Sequence, residues 1–95
     1  MKKISSNILD GKFEHLVDEN NLQITHLQIK KCDEIPSHKS DKSVVVVIYK
    51  GKVDFKGENG NQIIIPGDII TMDPNEIHSL KALEDSDLMV IKVKI

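Results

Sequence analysis

Residues 43–55 read SVVVVIYKGKVDF. Val44 to Tyr49 form an unbroken apolar run rich in β-branched side chains; Gly51 interrupts it, and Val53 and Phe55 resume at alternate positions. β-Branched residues suit a pleated, packed surface and glycine suits a tight turn, so the segment predicts strand, turn and strand. Along the first strand Val44, Val46 and Ile48 fall on one side and Val45, Val47 and Tyr49 on the other. No polar residue breaks either side, so both are expected to be covered. In so short a chain one core covers one side. The other then falls to the second sheet's edge, a terminal strand or a second subunit, and a homodimer through the sheet is the expected arrangement. Burial of each Val or Ile is worth roughly 1.5 to 3 kcal/mol.

Working outward, Gly57-Glu58-Asn59-Gly60 carries an Asn-Gly hairpin signal. Asn61–Ile65 and Ile69–Met72 read as strands separated by the Pro66-Gly67-Asp68 turn, with Asp68 as a turn acid holding backbone N–H groups. After Asp73-Pro74-Asn75 come Glu76–Leu83, a turn at Glu84–Ser86, and a last alternating strand, Asp87–Ile95, with Met89, Ile91, Val93 and Ile95 inward. Upstream, Phe13–Asp18 and Leu22–Ile29 form a hairpin about Glu19-Asn20-Asn21, while Lys30–Lys42 is the longest polar stretch and reads as a loop. Residues 1–10 are a loosely attached lead-in closed by Asp10-Gly11, and 11–95 form one domain. About eight short antiparallel strands and no helix define an all-β sandwich or barrel.

The chain has 95 residues, enough for one core. Thirteen cations, all lysine, stand against 15 acids, for a net charge of −2. Without a basic surplus or an arginine, nucleic acid is not the expected partner. With Phe13, Tyr49 and Phe55 as the only aromatic residues, a stacking platform for bases is equally unsupported. The N-terminal stretch lacks the apolar core of a signal peptide, and no run approaches a membrane span. Cys32, alone, has no internal partner. A reducing compartment follows, and the expected location is the cytoplasm.

The order of these signals resembles the small single-domain cupins, jelly-roll barrels also described as double-stranded β-helices. That family's first motif opens on glycine, carries a His-x-His pair and a glutamate, and closes on glycine. Gly51 fits the closing glycine and His38 the first histidine. The second motif runs glycine, Pro-x-Gly, histidine, asparagine; Gly67 and His78 fall at the matching separation, with Pro74 one place late. Cys32 stands at the opening glycine, Ser40 at the second histidine and Val44 at the metal-binding glutamate; in the second motif Asp73, Asn75 and Ala82 stand for Pro, Gly and Asn. Asn is the best non-glycine substitute in a left-handed turn. The resemblance implies a metal site of three His and one Glu around iron, manganese, nickel or zinc, and two of those four ligands are missing here.

His38 and His78 are the pair that the resemblance brings together at the barrel mouth. Two imidazoles alone make a weak divalent site, since catalytic sites use three protein ligands, so no cofactor is expected. A metal would need a third ligand from Asp41, His26 or His15. Lined by Val44, Val46 and Ile48, with His38, Ser40 and His78 at its polar end, the pocket suits a small, partly apolar molecule. Three functions are open. They are a metal-free small-molecule binding module, a divalent-metal enzyme of the dioxygenase, isomerase or decarboxylase class, and a structural or regulatory module that binds a larger protein.

Overall fold

In a computed structural model that describes residues 1–6, 13–58 and 60–94, the chain forms nine strands: β1 Phe13–Asp18, β2 Leu22–Ile29, β3 Glu34–His38, β4 Ser43–Lys50, β5 Val53–Gly57, β6 Gly60–Ile64, β7 Ile69–Met72, β8 His78–Ala82 and β9 Ser86–Val93. They build two antiparallel sheets, ordered β1-β2-β9-β4-β7 and β3-β8-β5-β6. Among the described residues there is no helix. Residues 7–10 of the expected lead-in, the next two residues, Asn59 of the β5–β6 turn and Ile95, expected inward, lie outside the described residues, but the hairpin that Asn59 signals is formed, with Gly57 opposite Gly60.

Alternation along β4 sets the core. Val44, Val46 and Ile48 pack with Ile29, Met72 and Leu88 of their own sheet against Val53, Phe55, Ile64, Leu80 and Ala82 of the other. Within one chain the opposite side of β4 is only partly covered. Val45 and Val47 are half-buried and Tyr49 is 44% exposed. Chain turns end the strands as their residues require: Asp68 accepts from the Ile65 N–H at 3.0 Å and its own N–H donates to the Ile65 carbonyl, which is the turn-acid role expected of it.

Two features differ from the sequence reading. Lys30–Lys42 is not wholly loop, since β3 lies inside it and pairs with β8. Pro36 hid this strand, because proline cannot donate to a ladder; on an edge strand that donor is not needed, and the register shifts between Ile35 and His38, around Pro36 and Ser37. In β9 the phase is the reverse of the expected one. Leu88 is fully buried in the core and Val90 packs against it, whereas Met89, Ile91 and Val93 lie on the outer face. Both sets are apolar, so alternation cannot choose between them. Register with β4 does, pairing Val46 with Val90 and Val44 with Lys92.

Besides Gly60 of the β5–β6 hairpin (φ 124°), four turn positions have a positive φ: Cys32 (77°), Gly51 (89°), Gly67 (102°) and Asn75 (69°). These are the four glycine positions of the two motifs described above. The chain keeps the backbone shape at all four, using Cys and Asn where glycine is absent.

Candidate functional site

The barrel mouth is built where β3 and β8 end beside β4. His38 and His78 are direct partners across the β3–β8 ladder, with ring centroids 4.1 Å apart in an edge-on arrangement. Phe55, one strand further on, stacks on His78 at 5.6 Å. His78 is buried and His38 is exposed. Each imidazole Nδ1 lies against the carbonyl two residues earlier, Pro36 for His38 at 2.9 Å and Glu76 for His78 at 3.2 Å. A carbonyl only accepts, so Nδ1 carries the proton in each ring and Nε2 keeps its lone pair in the neutral form.

The segment before β8 is tied to the segment before β4 by the Asn75 N–H donating to the Ser40 carbonyl at 2.7 Å. Ser40 Oγ is engaged as well, accepting from the Lys42 N–H at 3.2 Å. Facing the histidines from the five-stranded sheet is one rung of inward positions: Gln23 of β2, Lys92 of β9, Val44 of β4 and Met72 of β7. Val46 and Ile48 lie below Val44 in the packed core.

Burial, above all, lowers the pKa of His78 from its ordinary 6.5; its bond to the Glu76 carbonyl opposes this, the charges of His38 and Lys92 add to it, and the Glu76 carboxylate opposes it. The unfolded chain therefore binds a proton at His78 before the folded chain does. Stability from this group is present above about pH 6.5 and is lost as pH falls from there toward the lower folded value. His78→Gln should flatten that part of the stability profile. Urea midpoints at about pH 7.5 and about pH 5.5 for both proteins check it, and an equal acid loss in the variant would contradict it.

The other candidates are dispersed. His26 is on the outer face of the five-stranded sheet, with the whole sheet between it and His78. There it is buried, its Nε2 2.7 Å from Asp87 Oδ1 and its Nδ1 3.8 Å from Glu14 Oε2. Strand phase excludes it from a ligand set with His38 and His78. Asp41 is exposed, with Oδ1 3.9 Å from the adjacent Lys42 Nζ. His15 does point inward, and its Nδ1 is 3.0 Å from Thr25 Oγ1. Among the described residues no group of three or more His, Cys, Asp or Glu is placed to hold a metal ion, so the residues present do not fit the metal that a cupin barrel implies. The exposed thiol of Cys32 has no disulfide partner.

Lys92, Phe55 and Met72 are mouth residues that sequence reasoning missed. The signal for Lys92 was the alternate phase of β9, in which Ser86, Leu88, Val90 and Lys92 run down one side. Clefts lie elsewhere, one of about 370 Å³ along Phe13, Leu27, Ile29 and Ile35 and one of about 430 Å³ along Ile63, Ile69 and Thr71. Neither includes His38 or His78, and a ligand at the mouth would rest on the exposed His38 rim.

Two packed antiparallel sheets in this order, with paired imidazoles at one end, define a small cupin-type barrel. Residues 25–94 match the profile of the AraC-like ligand binding domain, and the chain belongs to that family. Solved structures agree on the fold. A conserved protein of unknown function from Streptococcus pyogenes is 24% identical, with a TM-score of 0.82 over 100% of this chain and 96% of that one. A cupin superfamily protein from Desulfitobacterium hafniense is 12% identical, with a TM-score of 0.85 over 97% and 84%. Oxalate decarboxylase of Bacillus subtilis, which has Mn(II) centres, is 18% identical, with a TM-score of 0.72 over 78% of this chain and 21% of its own. At such identities the likeness speaks for the fold alone. The curated proteins give no match.

Proposed function

We propose that this protein is a binding module that takes a small organic molecule at the barrel mouth without a catalytic metal. The observation that carries the reading is the contrast between backbone and side chains in the two motifs. All four glycine positions keep a left-handed backbone, yet Val44 stands at the glutamate position, 3% exposed and packed in the core, and Ser40 stands at the second histidine. The scaffold of a metal site is kept while two of its donors are gone. Membership of a ligand-binding family supports the same reading. A metal-dependent enzyme would need a third donor beside His38 and His78; His26 is on the far face of its sheet, and among the described residues neither Asp41 nor His15 completes a group of three with the pair.

Elemental analysis of protein purified without affinity tag or chelator, repeated for His38→Ala, tests the proposal. The expected result is no bound transition metal in either protein, even after incubation with iron, manganese, nickel and zinc. Near-stoichiometric metal that disappears in His38→Ala would overturn it in favour of the enzyme.

Two copies are further proposed to pair through the outer face of the five-stranded sheet. Half-buried Val45, Val47, Met89 and Ile91, with Ile69 at 59% exposure, support this. Val47→Asp should yield a folded monomer, because a charge in a covered apolar face carries a desolvation cost. Sedimentation velocity on both proteins is the check, and a monomeric wild type or a dimeric variant would refute the pairing. The working compartment of the dimer is the cytoplasm, a reading that the single exposed thiol supports.

A further inference from the structure

Three polar groups at the mouth are unspent. Lys92 occupies an inward position of β9 between Gln23 and Val44, on the side of the strand whose next inward residues are Val90 and Leu88. Among the described residues its ammonium has no ion-pair partner; Gln23 beside it gives its amide N–H to Asp18 at 3.1 Å. Lys92 is close enough to His78 for its charge to act on the ring. The two imidazoles, fixed by their Nδ1 bonds, have no protein partner for Nε2 among the described residues. The mouth thus offers one cationic donor and two imidazole Nε2 atoms, above Val44, Met72 and Phe55 of the core.

None of these three groups is among the buried polar atoms that lack a partner, so each is open to a complementary group of a ligand. An ammonium asks for an anion; a carboxylate answers it with a charge-assisted bond. An imidazole lone pair asks for a donor, which a carboxylate lacks and a hydroxyl has. We infer that the ligand of the mouth is a small hydroxy acid, its carboxylate on Lys92 and its hydroxyl donating to Nε2 of His78 or His38. This rests on the barrel-binding reading above and names the class of molecule that the site takes. A neutral sugar would leave Lys92 desolvated and unpaired, and a simple fatty acid would leave the imidazole lone pairs without donors.

Lactate is the smallest molecule with both groups; lactamide removes the charge and propionate removes the hydroxyl. The experiment is titration of each into the full chain at neutral pH, followed by the imidazole resonances of His38 and His78, with His15 and His26 as internal controls of fold and specificity. Lactate is expected to shift His38 and His78 saturably, lactamide to bind about tenfold or more weakly, the usual effect of losing a bond to a charged group, and propionate to bind about three- to tenfold more weakly, the effect of losing a neutral one. Lys92→Gln should remove the preference for lactate over lactamide, and Lys92→Arg, which keeps the charge, should retain it. Unchanged His15 and His26 signals in the variants certify the fold.

Equal binding of lactate and lactamide, or a preference that survives Lys92→Gln, overturns the inference while leaving a barrel that binds small molecules. Equal binding of lactate and propionate overturns the role of the imidazoles. If none of the three moves His38 or His78, or if His15 and His26 move as much, the hydroxy-acid assignment fails. The metal analysis then decides separately whether the mouth is a metal-free site at all.

Discussion

Gly51→Ala is expected to cost more than about 4 kcal/mol, the range reserved for substitutions that break a named structural constraint, and so to remove much or all of the stability of a domain of this size. Two effects combine. Gly51 has φ 89°, which an L side chain rarely adopts, and an added Cβ would meet the Ser86 Oγ, the Asp85 carbonyl oxygen and, at 2.7 Å, the Ser86 Cα. Two of these are backbone atoms of the β8–β9 turn, which is itself fixed. Ser86, buried, accepts from the Lys52 N–H at 3.1 Å and donates to the Glu84 carbonyl at 2.8 Å, while the Lys52 carbonyl accepts from Leu83 N–H at 2.9 Å. The turn cannot retreat without breaking these bonds. Gly67 is the control. Its φ is 102°, but an added Cβ there meets nothing within 4 Å, so Gly67→Ala carries only backbone strain, about 1 to 2 kcal/mol. Urea unfolding of the two variants separates strain from collision. Equal losses would show that the β4–β5 turn is free to move away from Ser86.

Gly51 was legible in the sequence because punctuation by glycine after a β-branched run has one common meaning. The same holds for the Pro66-Gly67-Asp68 turn and for Asn75, whose left-handed backbone follows from its place in the motif. What was not legible follows from two degeneracies. Glu34–His38 carries charges and a proline, and edge strands tolerate both because one side of their ladder faces solvent. In β9 the residues from Leu88 to Ile91 are apolar at every position, so each phase buries a good apolar set. Only the pairing with β4, fixed by Val44, Val46 and Ile48 in the core, breaks the tie. The candidate site inherited both problems. His38 and His78 were found from motif spacing and do meet across a ladder, but the wrong phase turned Lys92 outward on paper and removed from view the lysine whose charge acts on His78. His26 was misplaced for a related reason, since its strand is apolar on both faces at Ile24 and Leu27 and its own side is settled only by register with Met89.

The phase of β9 is open to direct measurement through neighbouring residues. Leu88→Ala should destabilise the protein by about 2 to 5 kcal/mol, since Leu88 is fully buried among Ile48 and the other core residues and truncation leaves a cavity as well as losing transfer energy. Met89→Ala should cost less than about 1.5 kcal/mol, because Met89 is half-buried on the outer face and its flexible side chain is readily replaced. Denaturant unfolding of both variants in the Val47→Asp background compares them on equal terms, since the outer face on which Met89 lies is then unpaired. The order of the two losses is what decides. Were Met89 the costlier, the strand would sit in the opposite phase, Lys92 would face away from the barrel, and the mouth would lose its lysine. A larger loss at Leu88 fixes Val90 and Lys92 on the same inward side, since strand side chains alternate without exception between bulges, and the charge at the mouth follows from the packing of the core beneath it.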